Sequence, residues 1–494
     1  MSGTGRLVGQ PHARTRRVVY GDPSPAEIAG ELRSTTEIDR AHLVMLAERG
    51  IIDRDSVATL LRCIAELTEV NFRPLVGRPM PRGLYLMYEG YLAERLGPDV
   101  GGVLHTGRSR NDLKATVTAL RLRARVLDLS EQACRLQAAL LSRARAHRDV
   151  LMPVHTHFQA AMPVTYGYYL LGVADAISRD VTSLHHAADG LDVCPLGAGA
   201  VAGTDLPIDT NRTSTLLGFA RGPRHALDAV AARDVVLRVV AASAGMAVTL
   251  SRLAADLQLW STTEFGFLNF PDRLVGGSSA MPQKRNAFLL EHVRAKAGRA
   301  IGAWTAAAST MKGVPFTNSI EVGTEAVADA WPGIEAVLDA LLLSQSLVTG
   351  ARPDQERMRR RAEDGFTTAT WLSNRLVREG VPFRRAHALV GEAVRRAVEA
   401  GTTDLRPFGP PGWLAGIDLD GDDLEEVVRR QRYGGGPGDF DSAAAGPVAA
   451  WLRNREWHLR WRRRIAAAKD DLADAVRRHT AETPRPATAA GTTK

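Results

Sequence analysis

The sequence predicts an all-α protein, a long central helix bundle flanked by smaller N- and C-terminal helical domains. Three observations carry this. Residues 108–152 contain no Gly or Pro and consist mostly of Ala, Leu, Arg and other strong helix formers. Between residues 236 and 260, apolar or small residues recur at alternating steps of three and four: Val236, Val239, Ser243, Met246, Leu250, Leu253, Leu257 and Trp260. That is a heptad seam about 36 Å long at 1.5 Å per residue. Strand signals are sparse, with neither a βαβ rhythm nor a glycine-rich phosphate loop.

In chain order, residues 1–20 are polar and aperiodic, and a flexible tail is expected there, as it is over 479–494. Residues 21–107 read as an N-terminal domain of short amphipathic helices punctuated by Pro74, Gly77, Pro79, Pro81 and Gly83. The bundle is expected over 108–350, with long helices at 108–152, 227–260, 286–312 and 325–347. Ala241, Ala242, Ala244, Gly245 and Ala247 cover the other faces of the second helix. A helix small or apolar nearly all round is normally buried between neighbours. Residues 351–478 return to shorter helices, with Pro/Gly-rich passages at 407–416 and 434–438.

Composition excludes several classes. Of 494 residues, 45% are hydrophobic and 24% charged, which is ordinary for a globular chain and unlike a disordered, collagenous or disulfide-scaffold protein. Cys63, Cys134 and Cys194 are odd in number and far apart. They suit a reducing cytoplasm and fit neither a zinc spacing nor a disulfide framework. The longest apolar stretch, Val239 to Ser251, is too short to span a bilayer, and no apolar run follows Arg16 and Arg17, so no signal peptide is expected. The net charge of +8 is modest for this length and comes with no nucleic-acid signature. Neither nucleic acid nor membrane is an expected partner; small anions suit locally placed Arg and Lys.

Three polar segments border the long helices. His105-Thr106-Gly107-Arg108-Ser109-Arg110-Asn111-Asp112 opens the Gly-free run. A helix start of this kind gathers free N–H groups, a positive dipole end and side-chain donors, as a carboxylate or phosphate site requires. Taken alone it reads first as a capped helix start with solvated arginines. Val154-His155-Thr156-His157-Phe158-Gln159 carries two histidines but no Cys, Asp or Glu cluster, so no metal is expected, and local evidence favours structural hydrogen-bonding histidines. Gly276-Gly277-Ser278-Ser279-Ala280-Met281-Pro282-Gln283-Lys284-Arg285-Asn286, followed by Glu291, reads as a mobile loop able to order over a ligand and exclude water. A plain surface connector would account for its glycines but not for the order of its Ser, Pro, Lys and Asn.

Gly277-Ser278-Ser279-x-Met281-Pro282-x-Lys284-x-Asn286 resembles the signature loop of the fumarase/aspartase superfamily. Within it the chain is most similar to the argininosuccinate lyase family. Residues 105–112 match that family's second motif and Thr156-His157-x-Gln159 its third. Further matches are Pro195-Leu196-Gly197-x-Gly199, Asp228-Ala229-Val230-x-x-Arg233-Asp234, Glu264-Phe265-Gly266-Phe267 and Gly380-Val381-Pro382-Phe383-Arg384-x-Ala386-His387. The resemblance implies β-elimination of fumarate from an N-succinyl substrate, with no metal or organic cofactor. It implies Ser278 as base, with Lys284 and the loop N–H groups stabilising its oxyanion. His157, oriented by Glu291, would protonate the leaving nitrogen. Lys284 and Asn286 would hold the carboxylate that takes up charge, and Ser109, Asn111 and Thr156 would grip the other. Arg110 and Arg233 would support the anion site, and Gln159, Ser279 and Met281 would line the substrate. It further implies a homotetramer whose active sites each draw on three subunits.

The chain departs from that family in three places. The family's N-terminal Gly-Arg-Phe segment has no counterpart; Arg82-Gly83-Leu84-Tyr85 stands where the family has Glu-Asp-x-His; and Asn318, Gly323 and Ala326 stand where it has a Tyr, a Gln and a Lys that bind substrate. The leaving amine therefore stays open between the arginine moiety and another amine of specialised metabolism. A non-catalytic homologue is the alternative of a different class.

Overall fold

The computed structural model describes residues 9, 11–80, 82–409, 411–413 and 423–481. Of the expected tails, 1–8, 10 and 482–494 lie outside the described residues, as do 410 and 414–416 of the first Pro/Gly-rich passage. Residues 13–20 form helical turns, exposed up to Val19.

The N-terminal region is built on α1 (Pro25–Glu48), α2 (Arg54–Glu69) and α3 (Leu84–Leu96). Ser24 and Glu27 cap the first reciprocally and Asp53 caps the second, so both starts are written in the sequence. Ile28, Leu32, Leu61, Ile64 and Tyr88 form a core of their own here, while Ile38, Ala41 and Val44 on another face of α1 belong to the bundle.

The bundle begins with α4 (Arg110–Ala146), about 55 Å long at 1.5 Å per residue. It ends six residues short of expectation. β1 (Leu151–Thr156) follows and pairs antiparallel with β2 (Gln159–Thr165), with a bulge between Val154 and His155. The cause is tertiary. α5 (Tyr166–Ala188) turns back beside α4, and at Gly167 a Cβ would sit 2.5 Å from the Ala144 carbonyl oxygen. Leu151 and Met152 are thereby drawn into the core, opposite Thr165 and Val164.

The expected helix over 227–260 is two elements, Ala226–Ala231 and α6 (Asp234–Trp260). At the break, the Arg233 guanidinium donates to the carbonyls of Val230 (2.7 Å) and Ala232 (2.8 Å). All eight seam residues are buried. α6 is long and apolar enough to cross a membrane, but its seam packs against α5, α7 (Phe288–Met311) and α8 (Ala326–Gly350). On its other side Ala241, Gly245 and Val248 are exposed in the single chain, against the expectation of burial all round.

Beyond the bundle, α9 (Gln355–Asp364) packs on β1, and α10 (Ala369–Arg378) pairs with α11 (Phe383–Glu399) around Leu372, Val390 and Ala393. The last helix, α12 (Phe440–Thr480), returns along α4 and α5 and reaches α1 and α2, so residues 351–478 do not stay together as one packed unit.

Candidate active site

Ser109 sits at the N-cap of α4 with φ −128° and ψ 162°, and its Oγ accepts from the Asn111 N–H at 3.2 Å. Asp112 closes the capping box by accepting from the Ser109 N–H at 2.9 Å through Oδ1. Its Oδ2 accepts from the N–H groups of Gly197 and Gly199, each at 3.0 Å. Both glycines have positive φ, and a Cβ at either would strike Thr210 or the Gly203 carbonyl, so the turn needs glycine to aim its N–H groups at Asp112. Burial pushes the Asp112 carboxyl up, and the three N–H donors oppose that shift. Asn111 donates to the Ala200 carbonyl at 3.1 Å, and Arg110 is exposed. The helix start is thus held rigidly, with polar groups left at its rim.

Behind it lies a buried polar network. The Arg108 side chain is completely buried, with Nη2 2.6 Å from Asp39 Oδ1 and 2.9 Å from the Tyr85 hydroxyl. Tyr88 donates to Asp39 Oδ2 at 3.0 Å. An arginine can only donate, so the Tyr85 oxygen accepts from Arg108 and its one proton points to His105 Nδ1, 3.1 Å away. Burial, reinforced by Arg108 and Arg110, lowers His105 to about 4, so its ring is neutral with the proton on Nε2. Burial and Arg108 likewise lower His42 to about 3, and its Nε2–H meets the Thr106 carbonyl at 2.8 Å. No local sequence signal marks this network, because Asp39, Tyr85 and Arg108 are far apart in the chain and meet only through packing.

The second segment is the tip of the β1–β2 hairpin. Thr156 pairs with Gln159, and between them His157 and Phe158 both adopt left-handed backbone, φ 51° and 63°. Such a two-residue turn favours Asn-Gly, and each non-glycine residue here costs about 1–2 kcal/mol. Strain of this kind at an exposed imidazole is itself a functional signal. Phe158 is 83% exposed, and Thr156, His157 and Gln159 are exposed beside it. His155, one position before Thr156, packs instead on Phe265 and Phe267.

The third segment is a loop closed at its neck. Gly276 and Asn286 exchange two backbone hydrogen bonds, 2.9 Å and 2.8 Å, and this bridge delays the start of α7 to Phe288. Arg285 adds an ion pair to Asp272 and a 2.9 Å hydrogen bond to the Phe270 carbonyl. Inside the loop, Ser278 Oγ accepts from the N–H groups of Ala280 (3.3 Å) and Met281 (3.1 Å). Backbone donors aimed at a hydroxyl oxygen favour its anionic form. Ser279, Met281 and Lys284 are exposed around it. Glu291, in the first turn of α7, accepts from Gln258 Nε2 at 3.3 Å, and in the single chain it makes no hydrogen bond to His157.

The bundle places these segments at two ends. Ser109, Arg110 and Asn111 start the 37-residue α4, and the hairpin follows its far end. α6 also finishes at the hairpin end, where Trp260 meets Tyr169 with ring centroids 4.7 Å apart. The Ser278 loop and Glu291 lie beyond that point, Glu291 being tied to Gln258 in the last turn of α6. Within one chain, a helix about 55 Å long separates Asn111 from the hairpin that carries His157, too far for a succinate-sized ligand to touch both. Arg233 belongs to the Asn111 end but is not at the surface. It is 5% exposed, its Nη1 donates to two carbonyls of its own turn while its buried Nε has no partner, and burial lowers it to about 10. In the single chain it holds the break before α6.

Comparison with known proteins agrees with this architecture. A family model described as "Lyase" matches residues 82–302, and one described as "Argininosuccinate lyase C-terminal" matches 366–408. The argininosuccinate lyase of Methanoculleus marisnigri is 38% identical over 402 residues, 81% of this chain and 80% of its own. That of Thermus thermophilus is 39% identical over 410 residues, 80% and 87% of the two chains. An EDDS lyase solved in complex with formate superposes with a TM-score of 0.82 at 30% identity, covering 92% of each chain. The class II fumarase of Schistosoma mansoni, at TM-score 0.67 and 16% identity over 81% and 89%, shares the fold alone. On this similarity across four-fifths of its length, the chain belongs to the argininosuccinate lyase family of the fumarase/aspartase superfamily and is a carbon–nitrogen lyase.

Proposed function

We propose that the enzyme cleaves argininosuccinate to arginine and fumarate, acting in arginine biosynthesis in the cytoplasm as a homotetramer. One observation carries the mechanism: a serine oxygen held by two backbone N–H groups inside a neck-tied loop. Ser278 as alkoxide takes the proton from the carbon beside one carboxylate. The C–H electron pair becomes the new C=C bond, the C–N bond breaks, and its pair goes to nitrogen, which takes a proton from His157. Lys284 and Asn286 stabilise the carboxylate that accumulates charge during proton loss. Ser109, Asn111 and Thr156 hold the second carboxylate, with Arg110 nearby, while Gln159, Ser279 and Met281 surround the ligand. Neither a metal nor an organic cofactor is required by these steps.

Because the Asn111 end and the His157 end are a helix length apart, the site is completed between subunits, with Glu291 of one subunit orienting His157 of another. Exposed apolar residues on three bundle helices, Val248, Ile301, Trp304 and Leu342, support burial against further copies of the chain. Three buried free cysteines suit a reducing compartment.

A second reading concerns the leaving amine. Ala326 is fully buried and Gly323 offers no side chain, so two positions that bind substrate in relatives cannot do so here. That favours a different succinylated amine. Following fumarate by its ultraviolet absorbance tests both: release from argininosuccinate supports the first reading, and release only from other succinyl amines the second. No release from any of them contradicts the lyase mechanism, as would full activity of Ser278→Ala.

A further inference from the structure

We infer that Gln258 is a positioning residue for the proton donor: it keeps Arg294 off the Glu291 carboxylate and so holds that carboxylate for His157 of another subunit. This rests on the reading above in which Glu291 orients His157. Gln258 lies half-buried in the last turn of α6, and its Nε2 donates to Glu291 Oε1 at 3.3 Å. Its own oxygen accepts from Arg294 Nη1 at 2.9 Å. An arginine can only donate, so the carboxamide must turn its oxygen to Arg294, and its NH2 is what remains for Glu291. Both ends of the amide are engaged, which makes its orientation unique.

Glu291 and Arg294 stand three residues apart on α7, a spacing at which opposite charges on a helix pair directly. Among the described residues that pair does not form. The guanidinium turns across to α6, and the carboxamide stands between the two charges. A direct pair would bring a positive charge to the place where the imidazolium of His157 has to be held, and a cation there disfavours that form. A neutral amide donor fixes one carboxylate oxygen without adding charge, so the second oxygen and the full negative charge serve the imidazole. A histidine that acts as general acid depends on such support to stay protonated near neutral pH. The other titratable groups along 256–260 and 291–296 are engaged elsewhere. Asp256 accepts from Tyr169 at 2.7 Å, Lys296 pairs with Asp339 of α8 at 2.6 Å, and His292 packs on Phe288.

The test follows kcat and KM against pH for fumarate release from argininosuccinate, or from the succinyl amine found active in its place. Wild type is compared with Glu291→Gln, Gln258→Met and Gln258→Met/Arg294→Met. Methionine matches glutamine in length but cannot bridge the two charges, so α6 still packs on α7 while Arg294 is free to close on Glu291. In Gln258→Met, kcat falls about 10-fold with KM within about twofold of wild type. The basic limb of kcat moves to lower pH by about half a unit, in the same direction as in Glu291→Gln. Removing the competing cation as well returns the limb at least halfway. A glutamine that merely packed two helices together would change stability and leave the limb in place. The assignment is overturned if the limb of Gln258→Met stays at the wild-type position, or if the double variant keeps the full shift of the single one. Glu291→Gln separates the two levels: if it leaves the limb in place, the reading of Glu291 fails and this assignment with it. If it moves the limb and Gln258→Met does not, only the assignment fails.

Discussion

Replacing Asp112 by Ala probes how the start of α4, proposed to bind the substrate's second carboxylate, is held. Three N–H groups, those of Ser109, Gly197 and Gly199, lose a carboxylate acceptor at 2.9–3.0 Å. Asp112 is 0% exposed, so water cannot take its place without opening the turn. Each donor left buried without a partner costs about 1–3 kcal/mol, and removing the buried charge returns part of that through lost desolvation. The net loss is about 3–5 kcal/mol for Ala. For Asn, which keeps one oxygen but turns an amide N–H toward remaining donors, it is about 2–4 kcal/mol. Against a typical stability of about 5–15 kcal/mol the Ala change is severe. Hydrogen exchange reads it locally: amide exchange at Gly197 and Gly199 accelerates by about 100-fold or more, since about 1.4 kcal/mol is a factor of ten. Urea unfolding at fixed protein concentration reads it globally, and the affinity for fumarate weakens in step. Unchanged exchange at both glycines, with a global loss below about 1 kcal/mol, would show that Asp112 does not organise this end.

Other consequences follow from single features. His157→Gly relieves left-handed strain, so it stabilises the hairpin by about 1 kcal/mol in thermal unfolding while abolishing fumarate release; loss of both stability and activity would contradict the strained-tip account. Phe158→Gly gives a similar gain. Buried His42 and His185 are each lowered to about 3, mainly by burial, whereas in the unfolded chain they titrate near 6.5. Their folded pKa values are depressed, so stability is full above pH 6.5 and falls as the unfolded chain takes up protons, by about 2 kcal/mol per histidine at pH 5. Equilibrium unfolding from pH 8 to pH 5 checks this, and a His185→Gln variant that keeps the full acid sensitivity would refute its share. Asp39→Ala leaves the Arg108 guanidinium buried without its carboxylate, and a loss of about 3–5 kcal/mol is expected in unfolding experiments. A change within experimental error would exclude the pair as a structural element.

The long helices were legible because their signals are local. The seam from Val236 to Trp260 is buried at every step, and α4 starts at Arg110, two residues after the expected 108. The hairpin was hidden because its turn is His-Phe where the usual sign is Asn-Gly, and because nothing in a Gly- and Pro-free run says where a helix stops. That stop is dictated by the close approach of Gly167, a contact between two elements. The break at Arg233 is hidden for a similar reason: a side chain returning to its own turn replaces a helical hydrogen bond. The motifs supplied residue types for the site, but their separation by the length of α4 appears only in the fold. The polar network around Arg108 depends on contacts among α1, α3 and the segment before α4.

The central claim, that these motifs act as one site completed between chains, is tested most directly by mixing subunits. Asn111→Ala and Ser278→Ala enzymes are each inactive under the account, and the two lesions lie at opposite ends of the bundle. Dissociated together and reassembled, they form mixed oligomers in which some sites receive an intact Asn111 and an intact Ser278 from different chains. Fumarate release should therefore reappear on mixing, while either variant reassembled alone stays silent. Silence from every mixture of correctly reassembled oligomers would contradict the account.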